Sequence, residues 1–315
     1  MSAPSPASVV LLLETLHADA LALLAQVGEV LVADNERDLG RAPFERVCAI
    51  LTRSTGRVSR ELFERCPRLQ VVARAGVGLD NVDLVTAKEL GIPVLFTPGA
   101  NTATTGEHAI ALLLALTRRI DPIARAVAAG RWRERANYDG DEAQGKTLGI
   151  VGFGAIGRRV ASIADALGMR VVVAQHAGLV ASYPLLALDE LLRSADFVSL
   201  HLPLTPATRG LIGAAQLATM KPTACLINTA RGALVDQVAL HCALAQGELG
   251  GFAADVLDGE PPSPDDPLLA CDRALITPHV ASLTASTYRA MCVLTASNVL
   301  AVVRGEQPDA RCVHR

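Results

Sequence analysis

Short apolar runs rich in Val, Ile and Leu alternate with helical patterns along almost the whole 315-residue chain. No other feature constrains the fold as much. A strand buried on both faces reads as a continuous apolar run, and parallel neighbours need a crossover between them, usually a helix. The first series offers strands at Val9–Leu13, Glu29–Val32, Val47–Thr52, Gln70–Arg74 and Pro93–Phe96, with helical patterns such as Val58–Arg65 and Asn81–Leu90 between them. The second offers Thr147–Gly152, Arg170–Ala174, Phe197–Leu202, Ala224–Thr229, Gly251–Val256 and Ala274–Thr277. The pattern predicts an α/β fold with parallel sheets covered by helices on both faces.

Between the series, TPGANTATTGEHAIALLLALTRRI opens with the turn residues Pro98 and Gly99 and continues as a long apolar helix. A linker near Pro98 and a second long helix after Ser282 follow from this reading, and the length suits two domains. Half of the residues are apolar but only 3% are aromatic, so the cores must rest on Leu, Val, Ile and Ala. A net charge of −3 gives no support to nucleic-acid binding or to a polybasic membrane patch. Seven scattered cysteines without a CxxC point to free thiols in a reducing cytoplasm, with no metal site. The apolar run near the N-terminus lacks a preceding basic segment and stops at Glu14, so it reads as a strand and not as a leader. No run approaches the roughly 20 apolar residues of a membrane span, so a soluble protein is expected.

Gly152, Gly154 and Gly157 form G-x-G-x-x-G directly after one strand and before a helix. The first glycine permits the tight turn, the second a close approach of backbone to a pyrophosphate, and the third close packing of helix on strand. The helix start, Ala155 and Ile156, then offers N–H groups and a positive dipole end to phosphate. Three further segments end apolar strands. CLINTARGALVD carries Thr229, Ala230 and Arg231; GGFAADVLDGEPP carries Asp255 and Glu260; ALITPHVAS carries His279. Ligands of an open parallel sheet sit outside the carboxyl ends of its strands, so Arg231, Glu260 and His279 are expected over one crevice.

Taken in order, RCPRLQVVARAGVGLDNVDL, GANTATTGEHAIALLLALTRRI, GKTLGIVGFGAIGRRVA, SADFVSLHLPLTPATRGLI, MKPTACLINTARGALVD and DVLDGEPP resemble the D-2-hydroxyacid dehydrogenase family. The motifs are nearest those of its phosphoglycerate dehydrogenase branch. The resemblance implies two doubly wound parallel-sheet domains, a Rossmann cofactor domain at 99–285 inserted into a flavodoxin-like substrate domain at 1–98 and 286–315. It implies hydride transfer between a nicotinamide cofactor and a D-2-hydroxy acid or 2-keto acid. His279 would exchange the proton, Glu260 would orient its ring and favour its charged form, and Arg231 would hold the substrate carboxylate. Ala75, Gly76, Val77 and Gly78 would offer backbone N–H groups to that carboxylate. Arg53 is a candidate cation for a phosphorylated substrate. Leu202, Pro203, Thr229, Ala230 and Asp255 join the glycine turn as cofactor contacts, with Asp255 meeting the carboxamide. Family members pair through their cofactor domains, so a homodimer is expected, with the apolar helix around Ala109–Leu116 at its interface. No C-terminal regulatory domain is expected after the returning helix.

The strand RVVVA runs into Gln175 and His176, where such a fold normally carries an Asp or Glu for the adenosine ribose. Gln175 can still hydrogen-bond a ribose but brings no charge to repel a 2′-phosphate, and His176 is the one neighbouring group able to gain positive charge. The expected cofactor is NAD, with NADP also accepted. The stretch from Gln175 to Leu188 is also short for the family, so the wall of the adenine pocket is expected to be truncated. A reading of another class on the same fold is a dinucleotide-sensing, peptide-binding protein resembling a corepressor.

Overall fold

A computed structural model describes residues 8–174 and 182–314. Gln175 and His176 lie outside the described residues. The chain divides into two compact units, one running to Asn101 and resuming at Leu283, the other spanning Thr102–Ser282.

In the first unit, β1 (Val9–Leu12), β2 (Glu29–Val32), β3 (Val47–Thr52), β4 (Val71–Arg74) and β5 (Val94–Leu95) form a parallel sheet in the order β2-β1-β3-β4-β5. Every residue of β1 and β3 is buried, because helices cover both faces. The period of two sorts the side chains. Val10, Leu12, Ala49 and Leu51 pack with Leu24 of one helix and with Cys292, Ala296 and Val299 of another. Val9, Leu11, Ile50 and Val72 pack on the opposite face with Leu62 and Phe63. The second of those helices, Ala285–Val303, has 19 residues and a mean hydropathy of 1.2, long and apolar enough by length and composition alone to cross a membrane. This corrects the expectation that no run approaches that length. Seven of its residues are buried, and four of them, Cys292, Ala296, Val299 and Leu300, join a cluster with residues from β1, β3 and β4.

The second unit carries β6 (Thr147–Val151), β7 (Arg170–Ala174), β8 (Phe197–Leu200), β9 (Cys225–Asn228), β10 (Gly251–Ala254) and β11 (Ala274–Ile276). All pairs are parallel, in the order β11-β10-β9-β8-β6-β7. Beyond β7 the sheet continues, among the described residues, only as a single-residue bridge from Val173 to Leu185. Leu148, Ile150, Ile227 and Ala253 face helices Thr102–Thr117 and Ala155–Ala166, while Leu200, Leu226 and Phe252 face Leu191, Leu240 and Leu244.

Helix Thr102–Thr117 carries the stretch expected at a subunit interface. Ala109, Ile110, Leu112 and Leu113 are buried in the core of their own unit. Exposed large apolar side chains lie just after it, at Ile120, Val127, Trp132 and Tyr138.

Candidate active site

The direction of winding reverses at β6, whose neighbours are β7 on one side and β8 on the other. That reversal opens the crevice in which a doubly wound sheet takes its ligand. Gly152 follows β6 with φ of 98°, and an added Cβ would fall 2.6 Å from the His201 carbonyl oxygen. A Cβ on Gly157 would lie 2.2 Å from the Gly152 oxygen. Both glycines are therefore required by the fold itself. Gly154 differs, because a Cβ there would meet nothing within 4 Å. It is the N-cap of helix Ala155–Ala166, which has no side-chain cap. The N–H groups of Ala155, Ile156 and Gly157 precede the first intrahelical donor, Arg158, and face outward at the positive end of the helix dipole. Leu202 and Pro203 follow β8 at the same end of the sheet, next to His201. Burial pushes the His201 imidazole down to about 4, so it stays neutral, and its Nε2 lies 2.9 Å from Ser199 Oγ. Thr229 follows β9; its Oγ1 is buried and has no hydrogen-bond partner among the described residues. An open cradle before a helix N-terminus and an orphaned hydroxyl nearby along the same sheet edge both fit a phosphate-bearing dinucleotide.

Strands β9, β10 and β11 are adjacent and parallel, so the turns leaving them share one edge. Asn228 shapes the first turn. Its Oδ1 accepts from Ala230 N at 3.0 Å and its Nδ2 donates to Arg231 O at 2.8 Å. A Cβ on the next residue, Gly232, would fall 1.9 Å from the Leu257 carbonyl carbon. The Arg231 turn thus lies backbone to backbone on the turn after β10. Within that second turn, Glu260 Oε1 accepts from Leu257 N at 3.1 Å, and Oε2 lies 2.6 Å from His279 Nδ1. Burial pushes the Glu260 carboxyl up, but the His279 hydrogen bond and charge, with the Leu257 N–H, bring it below the ordinary glutamate value. An ionised Glu260 can only accept, so Nδ1 carries the hydrogen and Nε2 is left as the ring's other reactive position.

His279 stands in the left-handed region with φ of 55°. That conformation costs a non-glycine residue roughly 1–2 kcal/mol. Asp255 offsets it by holding the two peptides that follow. Its Oδ1 accepts from Val280 N at 2.9 Å and from Thr277 Oγ1 at 2.6 Å, and its Oδ2 accepts from Ala281 N at 2.7 Å. Burial raises the Asp255 carboxyl, and the bonds from His108, Thr277, Ala281 and Val280 more than reverse this, holding it below the usual carboxylate range. Asp255 was expected at the carboxamide; here it is 1% exposed and both oxygens serve the His279 turn.

The first unit holds the remaining candidates. Arg53 lies just past β3, its guanidinium 5.2 Å above the Tyr288 ring and its Nε buried without a hydrogen-bond partner among the described residues. The loop Ala75–Gly78 is pinned by Ala75 N to Thr52 O at 2.9 Å and by Thr97 N to Gly76 O at 2.9 Å, while the Arg74 guanidinium reaches Gly78 O. Sequence reasoning missed the residue beneath Arg53. Glu14 accepts from the N–H groups of Arg53, Ser54, Thr55 and Gly56 and from the hydroxyls of Thr52, Ser54 and Thr55. Its one sequence signal is that it ends an apolar strand run. Asn228 is a polar interruption of another such run; His108 carries no signal at all, since its partners Thr277 and Asp255 lie far along the chain.

Fold and site together define a dinucleotide-binding α/β protein with an Arg, a Glu and a His at neighbouring strand ends. The family model "D-isomer specific 2-hydroxyacid dehydrogenase, NAD binding domain" matches residues 110–281. The chain is 40% identical over 310 residues to a glyoxylate reductase of Aeropyrum pernix, covering 92% of this chain and 91% of that protein. It is 37% identical over 307 residues to a D-3-phosphoglycerate dehydrogenase of Methanocaldococcus jannaschii, covering 94% of this chain but only 58% of that protein. The crystal structure of the TT0316 protein from Thermus thermophilus superposes with a TM-score of 0.90 at 41% identity, covering 96% of this chain and 98% of that one. The chain belongs to the D-isomer specific 2-hydroxyacid dehydrogenase family, and its second unit is a nicotinamide-cofactor domain.

Proposed function

We propose that the protein is an NAD(P)-dependent oxidoreductase that interconverts a 2-keto acid and a D-2-hydroxy acid. The observation that carries this reading is the 2.6 Å pair of His279 Nδ1 and Glu260 Oε2, the latter on a turn packed against that of Arg231. A bound nicotinamide supplies the hydride, or accepts it in the reverse direction. Reduction then needs one proton at the substrate oxygen, and His279 Nε2 delivers it. Glu260 holds the ring through Nδ1 and stabilises the imidazolium. Arg231 binds the substrate carboxylate with its planar fork and opposes the negative charge that grows on the carbonyl oxygen. The N–H groups of Ala155, Ile156 and Gly157 and the Thr229 hydroxyl hold the dinucleotide, with Leu202, Pro203 and Ala230 beside it.

The substrate class is a small 2-keto acid such as glyoxylate or hydroxypyruvate, or the oxidised form of 3-phosphoglycerate, and the named relatives span both. Arg53 and the loop Ala75–Gly78 are the proposed substrate contacts in the first unit; Arg53, whose Nε has no hydrogen-bond partner among the described residues, suits an anionic group. NAD is the default cofactor, with weak discrimination against NADP because Gln175 replaces an acidic residue. The protein is proposed to act in the cytoplasm as a homodimer, and the exposure of the large apolar residues Ile120, Val127, Trp132 and Tyr138, the proposed interface, supports this. The deciding experiment is a panel of 2-keto acids with each reduced cofactor. Turnover with at least one acid and a D product supports the reading. Tight dinucleotide binding with no turnover on any acid rejects it.

A further inference from the structure

We propose that His108 is a positioning residue for His279, acting through the Thr277 hydroxyl and the Asp255 carboxylate. His108 sits on helix Thr102–Thr117, far in sequence from the loop it serves. Its Nε2 lies 3.0 Å from Thr277 Oγ1 and 3.5 Å from Asp255 Oδ1, and its side chain is 23% exposed.

The direction of each hydrogen bond follows from donor counting. Asp255 is ionised and nearly fully buried, so it only accepts. Thr277 Oγ1, 2.6 Å from Oδ1, gives its single proton to that carboxylate. The threonine oxygen can then only accept from His108, so His108 Nε2 carries a hydrogen. A chain of donors results, from His108 to Thr277 to Asp255, and the same carboxylate takes the Val280 and Ala281 N–H groups that follow His279. His279 N also donates to Thr277 O at 3.0 Å, so Thr277 holds the turn directly through its carbonyl and through Asp255 by its hydroxyl. Without a donor at position 108 the Thr277 hydroxyl keeps Asp255 as acceptor but loses the donor that orients it, and the carboxylate loses the nearby imidazole. The left-handed turn that presents His279 is then held less firmly. His108 touches neither a reacting atom nor the His279 ring; its effect passes through two intermediaries.

The consequence for turnover rests on reading His279 as the proton donor; the consequence for the loop does not. The experiment therefore reads both on the full chain, in His108→Leu, His108→Gln and Thr277→Val. Glutamine places an N–H donor near the position of Nε2, and valine replaces the threonine hydroxyl by a methyl group. Backbone amide hydrogen exchange over residues 279–282 should quicken about fivefold in His108→Leu and Thr277→Val, as expected for loss of one hydrogen bond, and return toward the parent rate in His108→Gln. Turnover should fall about ten- to a hundredfold in the first two variants, through misplacement of the ring, with dinucleotide affinity unchanged. Unchanged exchange in both His108→Leu and Thr277→Val overturns the proposal, as does a glutamine variant as loose as the leucine one. Faster exchange with undiminished turnover upholds His108 as the support of the loop and overturns the role of His279 as the acid.

Discussion

The two sheets reverse their winding at the same topological point, between β1 and β3 in the first and between β6 and β8 in the second. The two crevices are built in opposite ways. After β1 the chain places Glu14, whose carboxylate gathers four consecutive N–H groups and three hydroxyls from the segment after β3. A pocket of backbone donors that could hold an anion is closed by the protein's own charge. After β6 the chain places Gly152-x-Gly154, and nothing within 4 Å stands where a Cβ of Gly154 would project. One crevice is a fixed frame for Arg53 and the other is open to a dinucleotide. Equal topology has not brought equal function; the residues leaving one strand decide it.

The sharpest way to break this contrast is to disable the chemistry on the open side alone. His279→Ala should lower turnover about 10²–10⁴-fold while dinucleotide binding persists, because the lost group acts only on the proton. Steady-state kinetics and a binding titration on the same sample check this, and near-parent turnover would remove His279 from the site. Arg231→Lys should lower kcat/KM about a hundredfold, since a point charge cannot replace the bidentate fork; an unchanged value would mean that Arg231 does not hold the carboxylate.

On the closed side the expected effect is on stability. Burial pushes the Glu14 carboxyl up, but the bonds from Ser54, Arg53 and Thr55 lower it overall from 4.5 to about 2. A depressed folded value contributes stability that is fully present above about pH 4.5 and is lost as pH falls toward 2. Glu14→Gln should therefore destabilise the chain by about 1–3 kcal/mol at neutral pH. Urea unfolding across pH should show the two proteins converging near pH 2; a constant gap would show that charge is not what the segment requires. The smallest effect concerns cofactor choice. The ratio of kcat/KM for NAD over NADP should stay below a thousandfold, roughly 4 kcal/mol, and a larger ratio would mean that something other than an acidic residue at position 175 excludes the 2′-phosphate.

All eleven described strands could be read from the sequence because apolar, β-branched runs recur between helical patterns. The placement of Arg231, Glu260 and His279 on neighbouring turns could be read because each follows an apolar strand of one parallel sheet. What holds those three was hidden. Asn228 looks like any polar residue at a strand end, and the partnership of His108 with Thr277 and Asp255 spans most of the second unit. The apolar helix Thr102–Thr117 was ambiguous for a related reason: an apolar stripe shows that something covers it, not whether the cover is the same chain or a second copy. Its cover proved to be helix Ala155–Ala166 and the sheet beneath.

The contrast between the two crevices is tested most directly by calorimetric titration of NAD into the parent chain and into Gly154→Val. The glycine has an ordinary φ of −79° and open space ahead of it, so valine should fold normally. The expected result is one site per chain in the parent and a loss of affinity of at least tenfold, about 1.4 kcal/mol, in Gly154→Val with the unfolding midpoint unchanged. Equal affinity in the two proteins, or a second site of similar strength in the parent, would contradict it.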